Sequence, residues 1–250
     1  MLRRLYFFAA VCSLLLTAGQ VLANNLPDTD HDGISDQDEI NIYSTDPYSA
    51  DTDGDGYDDR QELLTGYSPH NPKAVKLANN DQDQDGLSDF WELRFGTNLL
   101  KADTDNDTAS DGQEIDRATD PLTVGLVRLP IRLDVSLSRQ ELTYWLDGVK
   151  YKQFVVSSGA PKTPTPTGHF QIINKSPKAW SKFGLWMPYW LGLDHGQFGL
   201  HELPVWPSGW REGSNHLGKP VSHGCVRLGI GAAQYIYDRV SVGTPVNINK

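Results

Sequence analysis

The segment VSHGCVRL, Val221 to Leu228, places a cysteine in a short glycine-containing turn near the carboxyl end of the 250-residue chain. The other cysteine, Cys12, lies in the amino-terminal stretch MLRRLYFFAAVCSLLLTAGQVLA. A basic start, an apolar run and small residues before Ala23 are typical of a secretory signal peptide, which we predict at residues 1–23. Cleavage would leave Cys225 as the one thiol of an exported chain, which favours either intermolecular pairing or a reactive nucleophile.

The remaining sequence has two halves of opposite charge. Residues 24–121 carry 25 Asp and Glu against 6 Lys and Arg, whereas residues 122–250 carry 7 against 14. We predict an acidic module at 24–121, a linker at 122–129 and a basic domain at 130–250. An uncleaved amino-terminal anchor is the alternative to a signal peptide, and no transmembrane helix is expected after cleavage. No nucleic-acid partner is predicted, and the sequence leaves the oligomeric state open.

The acidic half repeats one pattern four times, with acids at positions 1, 3, 5, 9 and 12 of each copy. The copies are DTDHDGISDQDE (28–39), DTDGDGYDDRQE (51–62), DQDQDGLSDFWE (81–92) and DTDNDTASDGQE (103–114). Alternating carboxylates in a tight turn, a backbone carbonyl at position 7 and a bidentate Glu at position 12 suit Ca²⁺, which takes six to eight oxygen ligands. A plain acidic linker is the alternative.

The predicted calcium ligands therefore occupy equivalent places in the four loops. They are Asp28, Asp30, Asp32, Ile34, Asp36 and Glu39; Asp51, Asp53, Asp55, Tyr57, Asp59 and Glu62; Asp81, Asp83, Asp85, Leu87, Asp89 and Glu92; and Asp103, Asp105, Asp107, Asp111 and Glu114.

Position 6 of such a loop needs a sharp turn, which Gly33, Gly56 and Gly86 provide. Thr108 stands there in the fourth loop, so we expect that loop to bind more weakly or not at all. The spacers are too short for paired EF-hands. This half resembles the thrombospondin type 3 class of bacterial calcium repeats, which implies an EF-hand-loop-like module stabilised by structural Ca²⁺.

The basic half has the alternation of a β domain. IRLDV (131–135), LTYWL (142–146), YKQFVVS (151–157), HFQII (169–173) and VNIN (246–249) are predicted strands, and Asp147-Gly148 predicts a hairpin turn. GAAQYIYDRV (231–240) has helical spacing. The Trp-rich and Pro-rich segment from Trp180 to Trp210 is expected to be a long ordered loop or lid.

Three blocks of this half occur in the order found in one enzyme family: TPTG (165–168), FGLHE (198–202) and SHGCVRL (222–228). The half resembles the catalytic domain of the L,D-transpeptidases, the YkuD family. The resemblance implies a mainly β domain, a β-sandwich with short helices, and a cysteine nucleophile. It also implies peptidoglycan peptide stems as substrate and a place in the periplasm or cell envelope of a bacterium.

The resemblance also implies roles for individual residues. Cys225 is the nucleophile and His201 the general base, oriented by the backbone carbonyl of Glu202. Backbone N–H groups at His223, Gly224 and Cys225 form the oxyanion site, Ser222 supports the loop, and Arg227 grips a substrate carboxylate. The gap between His201 and Cys225 is longer than is usual in the family.

The expected reaction is acyl transfer from a tetrapeptide stem to an amine, giving 3→3 cross-links during cell wall biogenesis, with no catalytic cofactor. Water or a D-amino acid as acceptor would make the protein an L,D-carboxypeptidase or an exchange enzyme. A calcium-stabilised structural protein that only binds the wall is a further alternative. Two alternatives lack nucleophilic catalysis. Cys225 could be a buried apolar residue, or it could form a zinc site with His201, His216 and His223.

Overall fold

The computed structural model describes residues 26–250, so the predicted signal peptide lies outside the described residues. The chain divides into two compact units, one ending at Val127 and the other running from Arg128 to Lys250. This division falls within the segment predicted as a linker. None of the helices in residues 26–250 combines the length and apolar character needed to cross a bilayer.

Each acidic repeat of the first unit folds as a loop followed by a short helix. The helices are α1 (Asp36–Asp38, continued by a π-helical turn over Glu39–Tyr43), α2 (Asp59–Thr65), α3 (Asp89–Phe95) and α4 (Asp111–Arg117). A 3₁₀ turn, Leu77–Asn79, lies in the long spacer between the second and third repeats. Every helix starts at the ninth residue of its repeat, because the carboxylate there accepts hydrogen bonds from the start of the loop.

The sixth residue of every loop has a left-handed backbone, which is the conformation that glycine adopts without strain. The φ angles are +94° at Gly33, +99° at Gly56, +95° at Gly86 and +84° at Thr108. The Thr108 N–H still donates to Asp103 Oδ2 at 2.9 Å, as the Gly56 N–H does to Asp51 Oδ2 at 2.8 Å. The fourth loop therefore keeps the shape of the others, with a β-branched residue held in a conformation it disfavours.

The repeats interact in pairs. The loop of the first repeat contacts the helix of the second, and the loop of the third contacts the helix of the fourth. Asp32 Oδ2 of the first loop accepts from the Arg60 N–H at the start of α2, at 3.3 Å. Asp85 Oδ2 of the third loop accepts from the Gly112 N–H at the start of α4, at 2.5 Å. A Cβ at Gly112 would lie 2.7 Å from the Asp85 carbonyl oxygen, so this contact requires glycine.

The second unit is built on one nine-stranded sheet. Its strands are β1 (Ile131–Ser136), β2 (Glu141–Leu146), β3 (Val149–Ser157), β4 (Gly168–Gln171), β5 (Asn174–Trp180), β6 (Trp186–Leu193), β7 (Phe198–Glu202), β8 (Val226–Leu228) and β9 (Pro245–Asn249). Their order is β4-β9-β1-β2-β3-β8-β7-β6-β5. The mainly β fold class is confirmed. The two halves of the predicted sandwich are continuous through β3.

Most predicted elements of this unit are present. β2 and β3 form an antiparallel hairpin around Asp147 and Gly148, whose φ angles are +47° and +79°. The helix α5 (Ala232–Arg239) buries Ala233 and Ile236 against the sheet. The prediction of a loop from Trp180 to Trp210 is wrong, because β6 and β7 lie inside that segment. Neither strand alternates between buried and exposed residues, since the second half of β6 and all of β7 are buried, so the period-two signal was absent.

The pairing of β7 with β8 decides where the candidate site forms. These strands are parallel, with Leu200 opposite Val226 and His201 opposite Arg227. Leu200, Val226 and Leu228 are at most 1% exposed and fix the register by burial. The FGLHE and SHGCVRL blocks, which are far apart in the sequence, therefore become neighbours.

Replacing Thr108 with glycine should stabilise the fourth loop, because a non-glycine residue in the left-handed region costs on the order of 1–3 kcal/mol, partly offset by the greater unfolded-state freedom of glycine. We expect the free energy of opening of this loop to rise by about 1 kcal/mol, which would be measured as slower hydrogen exchange at amides 103–114 at fixed calcium concentration. Gly56→Thr, at the equivalent position, should show the opposite change at amides 51–62. Unchanged exchange in Thr108→Gly would contradict the strain at this position.

Candidate active site

Residues 221–225, which carry Cys225 and precede β8, form the candidate catalytic loop. The side chain of Ser222 closes this loop. Its hydroxyl donates to the Cys225 carbonyl at 2.5 Å and accepts from the Gly224 N–H at 3.1 Å. Gly224 has φ +113°, a conformation that strains any residue with a Cβ. The turn that presents Cys225 thus depends on one buried hydroxyl and one glycine.

The TPTG turn supports this loop from the side. Thr163 Oγ1 donates to the Ser222 carbonyl at 3.0 Å, and Thr165 Oγ1 accepts from the Gly159 N–H at 2.8 Å. A Cβ on Gly159 would come within 2.2 Å of the Thr163 carbonyl oxygen. The close approach of these segments requires a glycine at position 159.

His201 is 2% exposed at the centre of β7. Its Nδ1 lies 2.6 Å from the Glu202 carbonyl oxygen, which can only accept, so Nδ1 carries the proton and Nε2 is left as a base. Burial lowers the pKa of His201 to about 4; the Glu202 hydrogen bond opposes the shift and the Arg227 charge adds to it. The imidazole is therefore neutral at neutral pH.

Cys225 is a free thiol at the end of the catalytic loop, one residue before β8. Burial raises the pKa of the Cys225 thiol, while the Gly199 N–H and the charges of Arg227 and Lys182 act in the opposite direction. Thiol and imidazole are thus both neutral in the resting site. A Cβ on Gly199 would lie 2.2 Å from the Leu191 carbonyl oxygen, so β7 can present this N–H to the sulfur only with glycine there.

One predicted oxyanion donor is already engaged. The Gly224 N–H points to Ser222 Oγ, so its predicted role as an oxyanion donor conflicts with the structure. The backbone N–H groups of His223 and Cys225 remain as predicted donors. The His223 ring is exposed and stacks on Phe183, with 4.4 Å between ring centroids and a 30° interplanar angle.

Two ion pairs tie the segment between β7 and β8 back to these strands. The Arg211 guanidinium pairs with Glu202 Oε1, and Arg227 Nη1 lies 2.6 Å from Glu212 Oε2. Glu202 Oε2 also accepts from the Gly231 N–H at the start of α5, at 3.2 Å. Arg227, predicted to grip a substrate carboxylate, is therefore already paired within the chain.

A cavity of about 630 Å³ contains the candidate catalytic residues. His201, Ser222, His223, Cys225 and Arg227 all line it. Five of the seven predicted residues of the SHGCVRL and FGLHE blocks thus line one cavity, whereas Glu202 and Gly224 do not line it.

The zinc alternative lacks a ligand set. In residues 26–250, the groups of three or more ligating side chains are all Asp triplets of the acidic repeats. One ring nitrogen of His201 is, in addition, occupied by the Glu202 carbonyl.

The acidic loops bring together the carboxylates at positions 1, 3 and 5, with oxygens within 4.8 Å of one another in each loop. In all four loops the second oxygens of the position-3 Asp and the position-12 Glu are buried without a hydrogen-bond partner in the described chain. These residues are Asp30 and Glu39, Asp53 and Glu62, Asp83 and Glu92, and Asp105 and Glu114.

Burial and the surrounding carboxylates raise the pKa of these glutamates. The pKa reaches about 7 at Glu39 and Glu114, about 8 at Glu62 and about 9 at Glu92. A bound cation would supply the missing partner for the buried oxygens and favour the charged carboxylates. The donor set of hard oxygens suits Ca²⁺. The carbonyl-bearing residues of position 7 that we predicted as ligands, Ile34, Tyr57 and Leu87, lie in the same loops.

The position-9 acids shape the loops. They lie outside the triplets, and their oxygens accept from the second residue of the same loop. Asp59 accepts from Thr52 N at 2.8 Å and Thr52 Oγ1 at 2.6 Å; Asp36 and Asp111 are bonded in the same way, and Asp89 accepts from Gln82 N. These carboxylates close the loop and begin the helix, and their role as calcium ligands, through water in many such loops, stays a prediction.

Sequence reasoning missed several residues of the site. Gly199 lies within a block that was recognised, but nothing in the sequence marked its N–H as a partner of the thiol. Arg211 and Glu212 lie in a segment without periodicity, and Lys182 and Phe183 in the segment predicted as a lid. Partners that meet only in the folded chain leave no pattern in the sequence.

Comparison with known proteins gives matches to both units. The profile of the L,D-transpeptidase catalytic domain (YkuD) matches residues 130–248, and that of the bacterial TSP3 repeat matches residues 28–50 and 51–66. The assigned L,D-transpeptidase YkuD of Bacillus subtilis strain 168 is 32% identical over 146 residues, covering 57% of this chain and 77% of that protein. The Bacillus licheniformis counterpart is 32% identical over 103 residues, covering 40% and 54%.

Two solved structures are also similar. An L,D-transpeptidase from Mycobacterium smegmatis is 25% identical with a TM-score of 0.43, over 51% of this chain and 65% of that one. An L,D-transpeptidase from Mycobacterium tuberculosis H37Rv is 23% identical with a TM-score of 0.44, over 50% and 59%. The chain thus spans less than two thirds of either solved chain. From the profile match and the Bacillus subtilis relative, we conclude that the chain belongs to the L,D-transpeptidase family.

Proposed function

We propose that this protein is an exported L,D-transpeptidase that acylates Cys225 with a peptidoglycan tetrapeptide stem and transfers the acyl group to an amine. The observation that carries the proposal is the arrangement of His201: its Nδ1 is fixed by the Glu202 carbonyl, which leaves Nε2 as a base in the cavity that Cys225 also lines. Its place of action is the periplasm or cell envelope.

In the first step Cys225 Sγ attacks the carbonyl carbon of the third stem residue. His201 Nε2 accepts the thiol proton as the S–C bond forms, because the resting pair is neutral. The oxyanion is stabilised by the N–H groups of His223 and Cys225; a single such donor typically contributes about 3–4 kcal/mol to transition-state stabilisation. Collapse breaks the C–N bond, and His201 returns the proton to the departing D-alanine amine.

In the second step an amine of another stem attacks the thioester. The new C–N bond forms as the C–S bond breaks, and the proton lost by the amine restores the thiol through His201. The product is a 3→3 cross-link. Attack by water would give a tripeptide, and attack by a free D-amino acid would give an exchanged tetrapeptide, so the acceptor is identified by the product.

The proposal is tested by incubating mature protein with defined disaccharide tetrapeptides and following the products by mass spectrometry. We expect cross-linked dimers and free D-alanine from the native protein. Cys225→Ala and His201→Gln should each lower the rate by at least about a thousandfold, since they remove the nucleophile or its base. His169→Gln, at an exposed histidine on β4, is the matched control and should be unaffected. Full activity of Cys225→Ala would refute the nucleophile assignment.

The neutral resting pair predicts the pH dependence of thiol alkylation. Because burial raises the thiol pKa above that of a free cysteine, about 8.5, the iodoacetamide rate at Cys225 should still be rising above that pH. Mass spectrometry of the alkylated chain between pH 5 and 10 gives the profile. A plateau already reached by pH 7 would instead indicate a preformed thiolate–imidazolium pair.

We further propose that the four acidic loops bind Ca²⁺ as a structural ion. The supporting observation is the set of buried, unpartnered oxygens that recurs at positions 3 and 12 of every loop. The Asp residues at positions 1, 3 and 5 and the Glu at position 12 would hold the ion, while the ninth-position acids shape the loop. The bound ion would offset the mutual repulsion of these carboxylates.

Calcium removal should therefore loosen the first unit. We expect chelation by EGTA to increase hydrogen exchange across residues 28–120 of the mature chain, and calcium to reverse the change. Extracellular sites of this kind bind at roughly 10⁻⁴–10⁻³ M. Glu62→Gln should weaken binding at the second loop, whereas Gln61→Glu, which adds charge beside it outside the ligand set, should not. Exchange insensitive to EGTA would contradict the proposal.

A further inference from the structure

The catalytic cavity lies in the basic half of the chain and is lined by cationic groups without carboxylates. Residues 122–250 carry 14 Lys and Arg against 7 Asp and Glu. The described residues that line the cavity include Lys182 and Arg227, together with His201 and His223, and no Asp or Glu. A cavity lined in this way is complementary to an anionic ligand.

The two cations are not equally available. Arg227 is 6% exposed, and its Nη1 lies 2.6 Å from Glu212 Oε2. The Nη1 group is therefore engaged within the chain, and separating this largely buried ion pair would leave Glu212 Oε2 with only His216 Nδ1, which lies 3.3 Å away. Arg227 is thus held by the chain itself, and Glu212 is its positioning residue.

Lys182, by contrast, is exposed at the rim of the cavity. Within residues 26–250, no carboxylate lies within ion-pair distance of its ammonium group; its close neighbour is the ring of Phe183, 5.3 Å from Nζ to the centroid. Lys182 and Cys225 line the same cavity, and the Lys182 charge is among the groups that act to lower the pKa of the thiol. The cavity of the nucleophile therefore contains an unpaired cation.

The turn that carries Lys182 is fixed rather than loose. Ser181 is buried, and its hydroxyl accepts from the N–H groups of Phe183 and Leu185, each at 3.2 Å. The Ser181 N–H donates to the Leu185 carbonyl at 2.8 Å. The Phe183 ring stacks on His223 of the catalytic loop. The backbone of Lys182 is therefore held in a defined position relative to the catalytic loop, so only the side chain must be ordered on binding.

The chemistry of the proposed reaction identifies which anion can lie there. If the last peptide bond of a tetrapeptide is cleaved, the α-carboxylate of the departing residue is separated from the reacting carbonyl by one nitrogen and one carbon. That carboxylate must lie beside Cys225, whereas the other carboxylates of a stem are attached through longer, flexible arms.

We propose that Lys182 binds the α-carboxylate of the departing D-amino acid and so makes the enzyme specific for acyl donors that end at the fourth residue. This inference rests on the proposed function. It replaces Arg227, the residue expected from the sequence, with a lysine from the β5–β6 turn as the group that recognises the carboxyl terminus of the donor.

The test compares two tetrapeptide donors that differ only at the carboxyl terminus, a free acid and a carboxamide, with one fixed acceptor. Native protein should use the free acid at about tenfold higher kcat/KM, mostly through KM, as expected for a charge-assisted hydrogen bond. Lys182→Gln should reduce kcat/KM with the free acid about tenfold more than kcat/KM with the amide, so that the ratio between the two donors falls to about one. Lys182→Arg should keep the preference.

Lys178→Gln is the matched control, since Lys178 is exposed on the neighbouring strand β5 but does not line the cavity. It should keep the native preference. Equal losses on both donors in Lys182→Gln would mean that the lysine acts only on the thiol, and an undiminished preference would mean that it does not bind the carboxylate; either result overturns the inference.

A preference that follows amidation of the third-residue side chain would also overturn the inference. Failure of the proposed function is distinguishable from all of these outcomes, because native protein would then convert neither donor.

Discussion

The parallel pairing of β7 with β8 is the constraint on which the catalytic unit depends. It places His201 on β7 next to the strand that Cys225 directly precedes, and it brings the Gly199 N–H to the sulfur. Parallel neighbours cannot be joined by a tight turn and need a crossover of a dozen or more residues. The topology thus requires a long gap between His201 and Cys225. The residues beyond that minimum extend the same crossover.

The crossover in turn stabilises the strands that it connects. Two consecutive residues, Arg211 and Glu212, pair with Glu202 on β7 and Arg227 on β8. Removing one partner of a buried pair typically costs about 3–5 kcal/mol, so the Glu212–Arg227 contact resists separation of the crossover from β8. The same contact engages Nη1 of Arg227 within the chain. Recognition of an anionic substrate by the proposed Lys182 contact would then depend on a different element, the β5–β6 turn.

The sequence predicts those elements and site residues that are determined by neighbouring residues, and it does not predict those that depend on long-range contacts. Alternation in IRLDV and LTYWL and the Asp147-Gly148 turn predict β1, β2 and their hairpin because neighbouring residues determine them. The acidic repeats predict the Asp triplets for the same reason. Strands β6 and β7 were missed because their residues do not alternate between buried and exposed, and the hydrogen bonds of the ninth-position acids were missed because the spacing of a carboxylate does not specify its donor. Glu212 and Lys182 acquire their roles through long-range contacts that no local pattern encodes.

Burial of ionisable groups is the physical cause that acts in both units, with different chemical consequences. In the catalytic unit it keeps Cys225 and His201 neutral, which preserves the basic Nε2 that a general-base mechanism needs. In the repeat unit it raises the pKa of Glu62 and Glu92, but a protonated carboxyl there still leaves buried oxygens without partners. Protonation alone therefore cannot satisfy these loops as a cation can. The recurrence of the same unsatisfied oxygens in four loops, including the one with Thr108, argues that all four are built around the same kind of ligand.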